Sequence, residues 1–372
     1  MNTSFTALLR HMPAQALTRS LRTAIAATIT AILTRVLNLE QGYWAVFSSI
    51  LVMQANFGSS IMAGWARLLG TAAGAFLGAL AAASSDALMG QGMTTLAGAM
   101  FVTIFVCALI AARNENLRLA GLTAAVVICL HEGGAQSAFL VGLNRFLEVG
   151  LGIVVALAVS LAWPARARVV LRFGLAKALV KLGNLLAALL DSRLDDHYER
   201  TRVFHAKDSV LRLDLRNRQL LSAARHEPGT SAQAENLAVL LRAQGRLAEH
   251  LLAMDHAVED AAKAAPADLS AGSFHARLAD ELSELGAAIQ ALLYDLAAVV
   301  ERDAPPPPGC AGRLDRALAA AAARLDALRR ERALAGYDAD EVMRFYSFYH
   351  ALRETAREAR TMADYLAAQA RA

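Results

Sequence analysis

Residues 61–83 read IMAGWARLLGTAAGAFLGALAAA, and this stretch decides the fold. It carries one charge, Arg67, and no proline in 23 residues. At about 1.5 Å of rise per residue such a helix reaches roughly 35 Å, enough to cross a hydrocarbon core of about 30 Å. Small side chains return every fourth position at Gly70, Gly74, Gly78 and Ala82. On a helix that spacing makes a flat ridge that lets another helix approach closely inside a membrane. The stretch predicts a transmembrane helix packed within a bundle, with an arginine in its first two turns.

Working outward, five more apolar runs accompany it, and together they place spans near 21–39, 42–54, 61–83, 93–112, 117–130 and 139–163. Short polar turns separate them, among them Ser84-Ser85-Asp86, Arg113-Asn114-Glu115-Asn116 and His131-Glu132-Gly133-Gly134. The predicted fold class is all-α: a six-helix transmembrane bundle over residues 1–165, then a helical domain in water over 166–372.

Composition supports the division. The chain of 372 residues is 56% hydrophobic with a mean hydropathy of +0.36. Residues 1–165 hold only 8 of the 37 Lys+Arg and 5 of the 33 Asp+Glu, as expected where charge is costly in hydrocarbon. In the second half acids and bases are interspersed in nearly equal number, so the formal charge of +4 forms no basic stripe and nucleic acid is not an expected partner. Cys107, Cys129 and Cys310 lie far apart and read as small buried hydrophobes rather than a disulfide or zinc set. Arg19, Arg22 and the apolar stretch from Thr23 to Thr34 also have the form of a signal peptide, but with five spans following, an uncleaved first span is the economical reading.

Orientation follows from the arginines. Arg10, Arg19 and Arg22 precede the first span, Arg113 and Arg118 flank the fourth turn, and Arg166, Arg168 and Arg172 follow the last; only Arg35 falls on the other side. The positive-inside rule then puts both termini in the cytoplasm, across an even number of crossings.

The halves also resemble each other. At an offset of 78 residues Gly64-Trp65-Ala66-Arg67-Leu68-Leu69 aligns with Gly142-Leu143-Asn144-Arg145-Phe146-Leu147, and Gly74 with Gly152. Three spans per copy force the copies into opposite orientations, the pattern of inverted-repeat transporters. Arg67 then lies roughly 10 Å into the third span from one side and Arg145 as deep in the sixth from the other, bracketing the midplane. Two readings stand side by side here. The arginines attract a substrate anion, or each snorkels to its nearer interface, with Arg145 paired to Glu148 one turn away. The second and fifth spans are short and occupy matching positions, the sequence feature that points to a transport site. Near their ends sit Gln54, Asn56, His131 and Glu132, and at the start of the second lie Tyr43, Trp44 and Phe47, which also suit an interfacial aromatic belt. Gly70, Gly74, Gly78 and Gly152 are read as helix-packing positions.

The run Gln41-Gly42-Tyr43-Trp44-Ala45-Val46, continuing through Gln54 and Gly58 to Arg67-Leu68-Leu69-Gly70-Thr71-Ala72-Ala73-Gly74, resembles the signature of the fusaric acid resistance (FUSC) family. Arg145 and the exit at Trp163-Pro164 fit it too, and the likeness covers residues 15–165. It implies a bacterial inner-membrane exporter of aromatic carboxylic acids, with a fold similar to that of the plant aluminium-activated malate channels, which work as dimers. Many members carry two membrane units in one chain; this chain carries one, so a homodimer is implied. One departure is Glu148, which stands where the first half has Gly70. It adds a candidate proton carrier and also neutralises Arg145.

From Arg166 onward the chain reads as Ala/Leu/Arg-rich helices broken near Pro228, Pro266 and Pro305-Pro306-Pro307-Pro308. Leu237, Leu240, Gln244, Leu247, Leu251, Met254 and Val258 form one apolar seam; Leu278, Leu282, Leu285, Ile289, Leu292, Leu296 and Val299 form a second. Such stripes suit an antiparallel pair or a dimer seam. Phe345, Tyr346, Phe348 and Tyr349 read as packing residues of the last helix. The sequence has no phosphate-cradling glycine loop with Lys-Ser/Thr, no His-Glu-x-x-His and no Gly-x-Ser-x-Gly, so neither a cofactor, a metal nor an enzymatic activity is expected.

The reading that results is a secondary transporter in the lipid bilayer that exports organic anions. Arg67, Arg145, Trp44, Phe47, Gln54 and Asn144 would receive the anion, and Glu148, Glu132 or His131 would carry a coupling proton. A passive anion channel and a membrane-anchored sensor or scaffold are the alternatives.

Overall fold

A computed structural model of the chain describes residues 14–89, 92–132, 136–163, 166–194, 200–229, 231–264, 274–331 and 336–371. The described residues form α-helices and short 3₁₀ turns, with no strand among them. Two compact units result, one of residues 1–167 with 226–228, the other of residues 168–225 with 229–372.

The first unit contains α1 (Ala14–Val36), α2 (Tyr43–Val52), α3 (Phe57–Met89), α4 (Met93–Arg113), α5 (Ala120–Glu132) and α6 (Ala138–Ala162). α1 stops where Asn38 takes a left-handed conformation (φ 50°), which asparagine tolerates better than most residues. α2 ends at Met53, whose backbone is extended. The next helix starts on an asparagine cap, the Ser59 N–H donating to Asn56 Oδ1 at 2.9 Å. Between the two helices the Gln54 N–H donates to Ser60 Oγ at 3.0 Å, so the unwound stretch keeps its backbone partners although Val52, Met53 and Asn56 are buried.

Packing in this unit repeats across the two halves. α3 lies against α6, and the third helix of each half also lies against the second helix of the other: α3 on α5, α6 on α2. Glycines set both contacts. A Cβ at Gly74 would stand 2.2 Å from the Ala120 carbonyl oxygen, and one at Gly152 would stand 2.1 Å from that of Ala45. Gly78 meets the backbone of Ala124, and Gly70 faces Leu119 more loosely. Gly74, Gly78 and Gly152 thus lie against the backbone of a neighbouring helix, and Gly70 lies against the turn that leads into α5.

By length and composition alone, five helical segments among the described residues are long and apolar enough to cross a membrane: Phe57–Ser85, Met93–Arg113, Ala138–Ala162, Ala167–Arg193 and His275–Arg302. The first three match expected spans. α1 falls outside this set, carrying Arg19, Arg22 and Arg35. α2, with 10 residues, and α5, with 13, rise only about 15 and 20 Å as helices. The last two segments lie in the second unit, where no span was expected. Around the first unit, Trp65, Phe76, Phe101, Leu147, Val154 and Leu161 are exposed, a density of large apolar side chains suited to lipid rather than water. Of the cysteines only Cys107 is buried; Cys310 is half-buried and Cys129 is exposed, against the expectation for all three.

The second unit holds α7 (Ala167–Leu194), α8 (Arg200–Arg225), α9 (Ser231–Ala264), α10 (Ala279–Arg302), α11 (Gly312–Arg330) and α12 (Ala339–Gln369). α7 buries a leucine-rich side in this core: Leu171, Leu175, Leu179, Leu182, Leu185, Leu186 and Leu189 are each at most 2% exposed. It meets α10 where Gly183 leaves room for Tyr294 and Gly286 for Leu190. The two seams are used inside the chain, that of α9 against α12 and that of α10 within the same core, which removes the need for a dimer seam. Phe345, Phe348 and Tyr349 are core residues, Phe345 meeting Phe274 edge-on at 4.8 Å.

These contacts predict that Gly74→Ala and Gly152→Ala each lose about 1–3 kcal/mol to overpacking, although alanine is the better helix former by about 1 kcal/mol. Gly150→Ala, with nothing within 4 Å of the added carbon, should be neutral or stabilising. Thermal melting of the purified protein in detergent compares the three, and equal melting would contradict the packing described.

Candidate functional site

One face of α2 gathers the polar chemistry of the first unit. Gln41, just before the helix, and Trp44 and Ser48 within it follow at spacings of three and four, so they line one side. Onto this side α3 delivers Arg67, whose Nε donates to Ser48 Oγ at 3.1 Å, while the serine hydroxyl donates to the Trp44 carbonyl at 2.7 Å. From α6 comes Arg145, which donates through Nη2 to Gln41 Oε1 at 2.5 Å and pairs with Glu148 at 2.9 Å. Its guanidinium lies 5.5 Å from the centre of the Trp44 ring, a cation–π geometry. The two arginines therefore reach α2 about one turn, or roughly 6 Å, apart. A third arginine enters from α1, Arg22, donating to Ser160 Oγ at 2.5 Å, with Ser60 adjoining at 3.5 Å.

Burial makes this arrangement unusual. Arg22 is 1% exposed, Arg67 5%, Arg145 3% and Glu148 5%. Among the described residues within 14–163 Glu148 is the one buried carboxylate, it pairs with Arg145, and neither Arg22 nor Arg67 has an ion-pair partner. Removing such charges from water costs several kcal/mol apiece unless an opposite charge or water reaches them. Several donors also lack acceptors: Arg145 Nε and Nη1, Arg22 Nε and the indole N–H of Trp44 are buried without a hydrogen-bond partner among the described residues. A surplus of buried donors and positive charge is complementary to an acceptor-only group such as a carboxylate.

The other expected site residues scatter. Phe47 and Tyr43 are about half exposed and face outward, their rings packing on Trp44 at 6.0 and 5.6 Å. Asn144 neighbours Arg145 in sequence but is exposed on another side of α6. Gln54 sits at the far end of α2, donating to the Leu51 carbonyl at 2.9 Å. His131 contacts the Gln136 carbonyl through Nδ1 at 3.0 Å, and the Glu132 side chain lies outside the described residues. Sequence reasoning missed Arg22 and Ser48. Arg22 was counted with the basic flank, yet it heads a stripe of Arg22, Ala26, Thr30 and Thr34 at spacing four, all buried. Thr30 and Thr34, small polar residues on the same stripe, are the signal for it in the sequence.

The model of the fusaric acid resistance protein family matches residues 16–372. The chain belongs to the fusaric acid resistance protein family. The match runs on through the second unit, well past the residues 15–165 that carry the likeness to the eye. No curated protein sequence matches the chain. As a member of a family of membrane transport proteins, with apolar helices of membrane-crossing length, this fusaric acid resistance family chain is a multi-pass membrane protein.

The Arg145–Glu148 pair makes a direct prediction for the family member in hand. Glu148→Ala and Arg145→Ala should each destabilise the protein, and the double variant by at least about 1 kcal/mol less than the sum, because contacting charges are not additive. Melting midpoints of the four proteins in detergent give the coupling, and strict additivity would show that the pair is not formed.

Proposed function

We propose that the first unit is a six-crossing bundle with both termini in the cytoplasm of a bacterial inner membrane, and that it exports organic anions, aromatic carboxylates in particular. The supporting observation is the excess of buried arginine over carboxylate on the Trp44 and Ser48 face of α2. In this reading α2 crosses as a broken helix. Its 10 helical residues rise about 15 Å and the four residues from Met53 to Asn56 add roughly 13 Å more, close to the thickness of the core. α5 is its mate in the other half, the two halves being an inverted repeat. The second unit is the cytoplasmic helical domain, the apolarity of α7 and α10 being accounted for by their burial within it. In this reading two copies of the chain form the transporter, as the likeness to the dimeric malate channels implies.

Arg67 holds the substrate carboxylate in this mechanism, and Arg145 adds a second cation when Glu148 gives it up. The Trp44 indole supplies the nearest ring surface and a spare N–H. The name of the family points to the class of substrate, an aromatic acid. Phe47 and Asn144 face outward and take no part in this reading, which narrows the expected set to Arg67, Arg145 and Trp44 with their partners Gln41 and Ser48.

The driving force follows from charge. An anion leaving a cell with a negative interior moves down the electrical gradient, at about 2.3 kcal/mol per 100 mV, or a roughly fifty-fold outward accumulation. Glu148 competes with the substrate for Arg145, so a proton on Glu148 favours anion binding. Proton and anion would then travel together, the wrong sign for export by proton exchange. Potential-driven export therefore suits the geometry better than proton antiport through Glu148. An anion channel shares this driving force, and counterflow of labelled against unlabelled anion separates it from a carrier.

The test uses proteoliposomes in which valinomycin and potassium set the potential, with labelled benzoate inside. Efflux should follow the potential without a pH gradient and fall at least about tenfold in Arg67→Gln. Transport that needs a pH gradient, or that is indifferent to Arg67, would sink the proposal.

A further inference from the structure

The second unit contains a cavity of about 640 Å³, within the roughly 300–1,000 Å³ of ordinary small-molecule sites. The first turns of α7 meet α9 and the C-terminal ends of α10 and α12 there. Its apolar wall includes Leu240, Val300 and Leu366, all buried. Facing the same space are Arg168 and Arg172, four residues apart and so on one side of α7.

Neither arginine is fully matched. Arg168 donates to the neutral amide oxygen of Gln233. Arg172 pairs with Asp303, the one acid lining the cavity, whose carboxylate is itself 77% exposed. Arg172 Nε is buried with no hydrogen-bond partner among the described residues. Two guanidiniums against one carboxylate leave a net positive charge beside an apolar wall. Asp303 holds its place by ending α10 in a left-handed conformation (φ 57°), its N–H donating to the Val299 carbonyl. Its carboxylate occupies the position beside Arg172 that a carboxylate from solution would take.

We propose that this cavity is a second binding site, for an amphipathic organic monoanion, with its carboxylate held by Arg168 and Arg172 and its ring or alkyl body laid on Leu240, Val300 and Leu366. The chemistry is complementary on both counts, since a guanidinium binds a carboxylate through two parallel hydrogen bonds and the wall removes apolar surface from water. The site belongs to the second unit alone and stands whether or not Arg67 binds substrate.

The probe is 2-naphthoate, measured by equilibrium dialysis against the full chain in lipid nanodiscs with empty discs subtracted, in an Arg67→Gln background so that the membrane half does not contribute. The expected result is one saturable site per chain, at least tenfold weaker for the neutral 2-naphthamide and at least tenfold weaker in Arg168→Gln/Arg172→Gln. Asp303→Asn should bind naphthoate three- to tenfold more tightly. Asparagine keeps the left-handed helix end and removes the competing charge, and a folding defect cannot produce a gain in affinity. Equal binding of acid and amide, or an Asp303→Asn protein whose affinity is unchanged or lower, overturns the proposal.

Discussion

A buried guanidinium that meets a serine hydroxyl where a carboxylate would be expected is the constraint on which the first unit depends. Arg67 reaches Ser48, Arg22 reaches Ser160, and the one buried carboxylate among the described residues within 14–163 is held by Arg145. A hydroxyl satisfies one N–H and offsets almost none of the charge. Such an arrangement persists only if water or an anion visits it, and that requirement turns a packing description into a functional one. The rest of the unit serves to place these groups. Gly152 brings α6 onto the backbone of α2, and Arg145, two turns earlier on the same helix, is carried to Trp44 and Gln41.

Close packing and chain breaks are linked for the same reason. A helix that ends inside the bundle leaves backbone groups that lipid cannot satisfy. Around Met53 and Asn56 the side chains of Ser60 and Asn56 accept the backbone N–H groups of Gln54 and Ser59. The glycine ridge on α3 plays the matching part for α5, whose carbonyl at Ala120 leaves no room for a Cβ on Gly74.

Much of this was legible in the sequence. The apolar runs, the small-residue ridge and the 78-residue offset locate α3 and α6 and pair Arg67 with Arg145, because period and composition are local properties that survive into the fold. What was not legible depended on direction. Asn144 and Arg145 are neighbours in sequence, but adjacent helical residues point about 100° apart, and only one of them faces α2. Phe47 turns outward for the same reason. Arg22 was assigned to the interface because charge near a span end ordinarily belongs there, and the stripe of threonines below it was overlooked. In α7 the leucines are as dense as those of a span, and their buried positions in the second unit are a matter of packing that composition alone does not reveal.

Trp44 offers the most direct view of the central claim, since its ring lies under Arg145 and the other two tryptophans, Trp65 and Trp163, are exposed and replaceable by phenylalanine. In that single-tryptophan protein, reconstituted in nanodiscs, benzoate should change the Trp44 emission saturably, benzamide should not, and Arg67→Gln should abolish the response. A response that is the same for acid and amide, or that survives the loss of Arg67, would contradict an anion site on the α2 face.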